Sequence, residues 1–435
     1  MSWILYFIYL LLLIWAIQKS RFFESPGINK KWLVALFLAK IAGGFALFFI
    51  YSYYYSPRSA CDIFNYFDDG LIIHNVLFQN PTDYLKIMTG IGASSPDLMT
   101  YYDTCNFWLK KFDYGLPNDN HIVIRANALM CLVSMGNFHI HNMFFAFLSF
   151  VGLWAIYKSF AKQLAQKRVL LLIAVFCFPS VWLWTSGALK ESILTFAFGL
   201  FVYNFRNMLA KPGAGNVIGS AVCVFLLMQS KFYVLMAALP SLAAMVWIRR
   251  KPKHAFVKFL AMHAGIFVAA WLSKFVTQVD LFEVICNKQH DFIMMVQGMQ
   301  VGSYIDIPVL DNGLRSIIAN APRAFATALL RPSVLEHGSA MMVLAGVENL
   351  LILCVLAAGL FYLKPRNLAQ PDMWCCLSFI TILFVLIGLT TPVLGALVRY
   401  KVPALPFVGI VILAAASNER LQPIDKWLER RLNGK

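Results

Sequence analysis

Apolar runs alternate with short basic turns along almost the whole chain. The runs cover about 3–17, 32–55, 138–157, 169–185, 192–205, 217–228, 232–248, 256–276, 340–363, 373–394 and 402–416. Several approach the ~20 residues that span a bilayer. Each is continuously apolar rather than alternating, which predicts helices and excludes a membrane barrel. No basic residues precede the first run and no small-residue cleavage site closes it, so it is read as a helix and not as a signal peptide. Two tight hairpins stand out, one around residues 186–191 and one around 229–231; either could be re-entrant.

Two polar stretches interrupt this rhythm, 56–120 and 277–339. Turn signals mark the first (Asn80-Pro81, Ser94-Ser95-Pro96, Gly115-Leu116-Pro117). Short amphipathic stretches at 121–135 and 314–330 predict helices lying beside the spans. The fold class expected is all-α: a polytopic transmembrane helical bundle of about eleven spans. It forms one integral membrane domain over 1–435, with the two stretches as long non-cytoplasmic loops and 417–435 as a charged cytoplasmic tail.

Charge sets the expected orientation. Placing the turn after the first span in the cytoplasm puts six basic clusters there, holding 22 of the 37 Lys and Arg residues. This is the positive-inside pattern, with the N-terminus outside and the C-terminus inside. Composition agrees: 60% of residues are hydrophobic, 13% are charged, and mean hydropathy is +0.67. The net charge of +16 belongs to these loops. No aromatic-interleaved basic motif points to nucleic acid. The nine cysteines lack CxxC metal spacing. Cys61, Cys105 and Cys286 fall in loops expected outside, where one disulfide among them is open.

The non-cytoplasmic side then collects the unusual polar residues. Asp62 follows the second run, with Tyr66 and Gly70 behind it. It is either a general base or metal ligand, or the N-cap of a helix starting at Ile63. Asp68 and Asp69 read as a solvated face. Lys190 and Glu191, in a short turn between short apolar runs, mark a site, a buried pair or an interfacial turn; Lys231 reads the same way. Arg331 and Glu336 bind an anionic headgroup or each other. Glu348, inside a span, requires a cation or hydroxyl in the interior. Arg399 and Tyr400 open the last span, where Pro403 and Pro406 disturb the backbone as cavity-lining segments do; arginine there offers bidentate phosphate recognition. His139 and His141 diverge on a helix and do not make a metal pair. No metal site is read from the sequence; a divalent cation is open but not required.

Three places resemble the GT-C-type polytopic glycosyltransferases: Asp62 with Tyr66 and Gly70, the stretch Phe178-Pro179-Ser180…Trp184-Thr185-Ser186-Gly187…Lys190-Glu191, and Arg399-Tyr400-Lys401-Val402-Pro403. Together they cover about forty residues. The resemblance implies a bacterial inner-membrane enzyme that moves a sugar from a polyprenyl-phosphate donor to a cell-envelope glycan, lipid or protein. Asp62 would be the catalytic base. Arg399 and Lys190 would meet the donor phosphate, with Tyr66, Glu191, Lys231, Arg331, Glu336 and Tyr400 as substrate-binding neighbours. Membrane lipids are the other expected partner, and nucleic acid is not. The chain departs from the family in its second loop carboxylate, which has no clear counterpart. The Pro179-Ser180…Lys190-Glu191 and Arg331-Pro332…Glu336…Glu348-Asn349 stretches also resemble envelope-polysaccharide membrane proteins, some polymerase-like. Joining of lipid-linked oligosaccharides is therefore the alternative, and transport of a lipid-linked sugar a third reading.

Overall fold

The computed structural model describes residues 2–432 apart from 56, 110–117, 252, 299–302, 312 and 337–338. Each apolar run folds mainly into helix, some of them broken along the way. The first helices are α1 (Ser2–Lys19) and α2 (Lys30–Phe49), whose last turn widens into a π-helical turn at Ile50–Tyr54. The first polar segment folds into α3 (Asp62–Gln79), α4 (Pro81–Thr89), α5 (Met99–Tyr102) and α6 (His121–Ser134). Next come α7 (Phe138–Ala161), α8 (Arg168–Phe176), α9 (Pro179–Trp184), α10 (Lys190–Ala210), α11 (Ala214–Ser230), α12 (Phe232–Arg250) and α13 (Ala255–Thr277). The second polar segment holds α14 (Leu281–Gln297) and α15 (Leu314–Leu330). The chain closes with α16 (Ala340–Phe361), α17 (Pro371–Thr390), α18 (Leu394–Lys401), α19 (Leu405–Ala415) and α20 (Asn418–Leu432). No strand occurs among the described residues; pairing outside helices is limited to isolated bridges.

Seven helices are long and apolar enough to cross a membrane: α2 with its π turn, α7, α10, α12, α13, α16 and α17. The bent pair α18–α19, kinked by 54°, makes an eighth if it counts as one span. The pattern-based count of about eleven exceeds this for local reasons. The runs at 3–17 and 217–228 are short apolar helices. The run at 169–185 is broken: Phe178 is extended (ψ 124°), as a residue before proline prefers, and Pro179 restarts the chain at the first position of α9.

Contacts sort the helix ends into two sets. At one end Trp154 and Lys158 donate to the Phe22 carbonyl, Arg206 pairs with Asp372, and Asp425 accepts the Leu170 N–H. Lys167 there is buried and donates to the Leu413 and Ala416 carbonyls at 2.6 and 2.8 Å, closing the end of α19. At the other end the two polar segments cover the helices. Ile305 donates to the Pro392 carbonyl and Leu394 to that of Ser303, so the second segment grips the start of α18. Between the ends, α7 and α10 touch backbone to backbone. A Cβ on Gly152 would lie 2.2 Å from the Thr195 carbonyl oxygen, and one on Gly199 2.0 Å from that of Gly152. Small residues permit this approach where water-driven burial is absent.

Asp69 overturns its solvated reading. It is fully buried and accepts the Asn106 and Phe107 N–H groups at 2.7 and 2.8 Å, tying the first polar segment to α3. Burial raises its carboxyl above the ordinary value, against the pull of those two donors. Asp68 does face outward, where it pairs with Arg58 at 2.7 Å. Glu348 finds its hydroxyl in Ser180. All nine cysteines are free, Cys61, Cys105 and Cys286 included. Four helices go beyond the sequence reading: α4 and α5, in a stretch read for its turns, α14, started by Asp280 accepting from the Phe282 and Glu283 N–H groups, and α20 in the charged tail.

Candidate functional site

Four chain segments deliver charged side chains to the end covered by the polar segments. Asp62 is the first residue of α3. The N-cap position belongs to Cys61, which makes no side-chain cap, so Asp62 lies one residue inside the helix and not at the N-cap. Lys190 and Glu191 open α10 after the turn that follows α9, and a carboxylate in the first turn suits the positive end of the helix dipole. Lys231 is the single residue joining α11 to α12. Arg399 lies in the last turn of α18, where the dipole favours a cation.

The Arg399 guanidinium joins two of these segments to its own. Its Nη1 donates to Asp62 Oδ2 at 2.7 Å and its Nη2 to Glu191 Oε2 at 3.2 Å. Lys231 Nζ donates to the other Glu191 oxygen at 3.0 Å. Arg399 also lies over the Trp184 ring, 5.2 Å from its centroid, and Lys231 over Tyr400 at 3.7 Å. Cation–π contacts of this kind strengthen where water is excluded. Glu191 is 1% exposed and Lys231 5%, whereas Asp62 keeps 30% of its side chain open. The Arg399 Nε is buried without an acceptor among the described residues.

A second pair adjoins the first. Lys190 meets Asp119 at 2.8 Å and passes 5.7 Å from the Tyr66 ring centroid. Tyr66 in turn donates to Asn120 Oδ1 at 3.2 Å. Burial alone would raise the Asp119 carboxyl, but the Lys190 charge, with Lys288 behind it, outweighs that and holds it at about 2. Asp119 escaped the sequence reading because its partner is 71 positions away; the Asn118-Asp119-Asn120 turn signal was the only local trace.

Asp62, Tyr66, Lys190, Glu191, Lys231, Arg399 and Tyr400 thus belong to one connected neighbourhood. Arg331 and Glu336 do not join it through their side chains. They pair with each other at 2.5 Å, and among the described residues neither side chain bonds to the Arg399 group. Arg331 touches α18 through its carbonyl, which accepts from Lys401 Nζ at 2.8 Å. No group of three His, Cys, Asp or Glu side chains suited to a metal ion occurs among the described residues. Chemically, the cluster offers one buried and two part-buried cations for an anion and one reachable carboxylate beside them. Comparison with protein-family models, curated proteins and solved structures returned no match for this chain.

Proposed function

We propose that this protein is a membrane glycosyltransferase, taking a sugar from a polyprenyl-phosphate donor to a cell-envelope acceptor on the non-cytoplasmic face of a bacterial inner membrane. The observation that carries the reading is the Arg399 guanidinium shared between Asp62 and Glu191. A donor phosphate competes with the carboxylates for that guanidinium, and Lys190 and Lys231 add positive charge beside it. Arg399 moving onto phosphate frees Asp62 Oδ2. The acceptor hydroxyl then attacks the anomeric carbon, its proton passes to Asp62, and the anomeric C–O bond to phosphate breaks with both electrons leaving on the phosphate. Preorganised cations matter most at that departing charge.

The test uses purified protein in nanodiscs, a panel of polyprenyl-phosphate sugars, and envelope glycan and lipid acceptors, with release of polyprenyl phosphate followed by mass spectrometry. Asp62→Asn should slow single-turnover transfer by about 10²–10⁴-fold while retaining donor binding. Unchanged turnover removes Asp62 from the mechanism. Donors bearing an oligosaccharide turned over in preference to a monosaccharide would favour the polymerase reading. The breaks at α8–α9 and α18–α19 are what a transporter would also have. Movement of the lipid-linked sugar across vesicles without transfer would favour that reading instead.

A further inference from the structure

A second buried polar group lies behind the Arg399 cluster, built on two neighbouring residues of α16. Glu348 Oε1 accepts the Ser180 N–H at 2.9 Å and its other oxygen accepts the Ser180 hydroxyl. Ser180 is the second residue of α9, so Glu348 holds the N-terminal end of that six-residue helix, where carboxylates are favoured. Asn349 Oδ1 accepts from Lys401 Nζ at 3.1 Å, and its amide donates to the Leu329 carbonyl at 3.0 Å. Lys401 sits two residues beyond Arg399 on the eight-residue α18. Glu348, Asn349, Ser180 and Lys401 are all buried.

The two elements held this way are the ones that set the site. The far end of α9 carries Trp184, under the Arg399 guanidinium, and leads within seven residues to Lys190 and Glu191. The α18 helix carries Arg399 itself. Neither short helix has enough turns to be rigid alone, and each is anchored to adjacent residues of one long helix. We propose that Glu348 and Asn349 are positioning residues: they fix the separation between α9 and α18 at which Arg399 spans Asp62 and Glu191. The proposal rests on reading that cluster as the anion site, but its geometric half is testable without it.

The experiment uses full-length protein in nanodiscs labelled with 5-fluorotryptophan, with Trp184→Phe assigning the Trp184 resonance. Binding of polyprenyl monophosphate is measured on the same samples. Glu348→Ala and Asn349→Ala should each move the Trp184 resonance and weaken phosphate binding by about tenfold or more, as small misplacements do at assembled sites. Glu348→Gln, which keeps an oxygen for the Ser180 N–H, should restore most of both. Ser180→Ala cuts the same contact from the α9 side and serves if Glu348→Ala fails to fold. Folded Ala variants at Glu348 or Ser180, and at Asn349, with wild-type resonance and affinity overturn the proposal. A shifted Trp184 resonance in a protein that never binds polyprenyl monophosphate would support the positioning and refute the anion reading.

Discussion

Neutralising Glu191 should destabilise this protein strongly. The carboxylate is 1% exposed and holds two cations, Lys231 at 3.0 Å and Arg399 at 3.2 Å. At an effective dielectric near 20, each contact is worth about 5 kcal/mol before desolvation. Glu191→Gln keeps the shape but cannot satisfy both donors, and it leaves the Lys231 ammonium buried and unpaired. Removing one partner of a buried pair costs about 3–5 kcal/mol, and that is the loss expected here. Lys231→Met removes the stranded ammonium, so the double variant Glu191→Gln/Lys231→Met should be less destabilised than the sum of the singles, with a coupling of about 1–3 kcal/mol. Reversible unfolding in mixed detergent and SDS micelles, followed by circular dichroism, gives all four free energies of the cycle. Glu191→Gln within about 0.5 kcal/mol of wild type, or strictly additive singles, would refute the reasoning. The charges would then be solvated independently, and the network would not hold α10, α18 and the α11–α12 link together.

Two further outcomes follow from other contacts in the bundle. Asp119 sits at about 2 in the folded protein, below the ~3.9 of a free aspartate, so its pairing stabilises the fold above about pH 4 and the benefit is lost as pH falls through 2. The stability difference between wild type and Asp119→Asn should therefore shrink toward zero over that interval; a difference unchanged at pH 2 would contradict the pairing with Lys190. Gly152→Ala places a methyl 2.2 Å from the Thr195 carbonyl oxygen and 2.6 Å from the Phe196 Cα, both backbone atoms. It should cost at least the ~3 kcal/mol upper range of overpacked cores, read as lost monodisperse protein on gel filtration, while Gly215→Ala, with open space around it, should behave as wild type.

Helix placement was legible because its cause is local: an apolar run in lipid must satisfy its own backbone, and that constraint is written residue by residue. Span length was less legible, since Pro179 and the pair Pro403 and Pro406 cut runs that composition alone joins. The residues of the Arg399 cluster were legible one at a time and not as partners. Lys190, Glu191, Lys231 and Arg399 stand out because ionisable groups beside apolar runs are costly. Nothing local says that Arg399 meets Asp62 across 337 positions rather than Asp69, which the backbone of Asn106 and Phe107 consumes. Arg331 shows the converse. Its phosphate-binding chemistry equals that of Arg399, yet Glu336 five residues on closes on it locally. The short helix α18 makes the point most sharply. Arg399 and Lys401 are two residues apart, which is about 200° around a helix, so one points to α3 and α10 and the other to α16 and the Arg331 carbonyl. Two cations of the same motif therefore take different partners, one the carboxylates of α3 and α10 and the other the frame around α16, and only the packing of distant helices decides which is which.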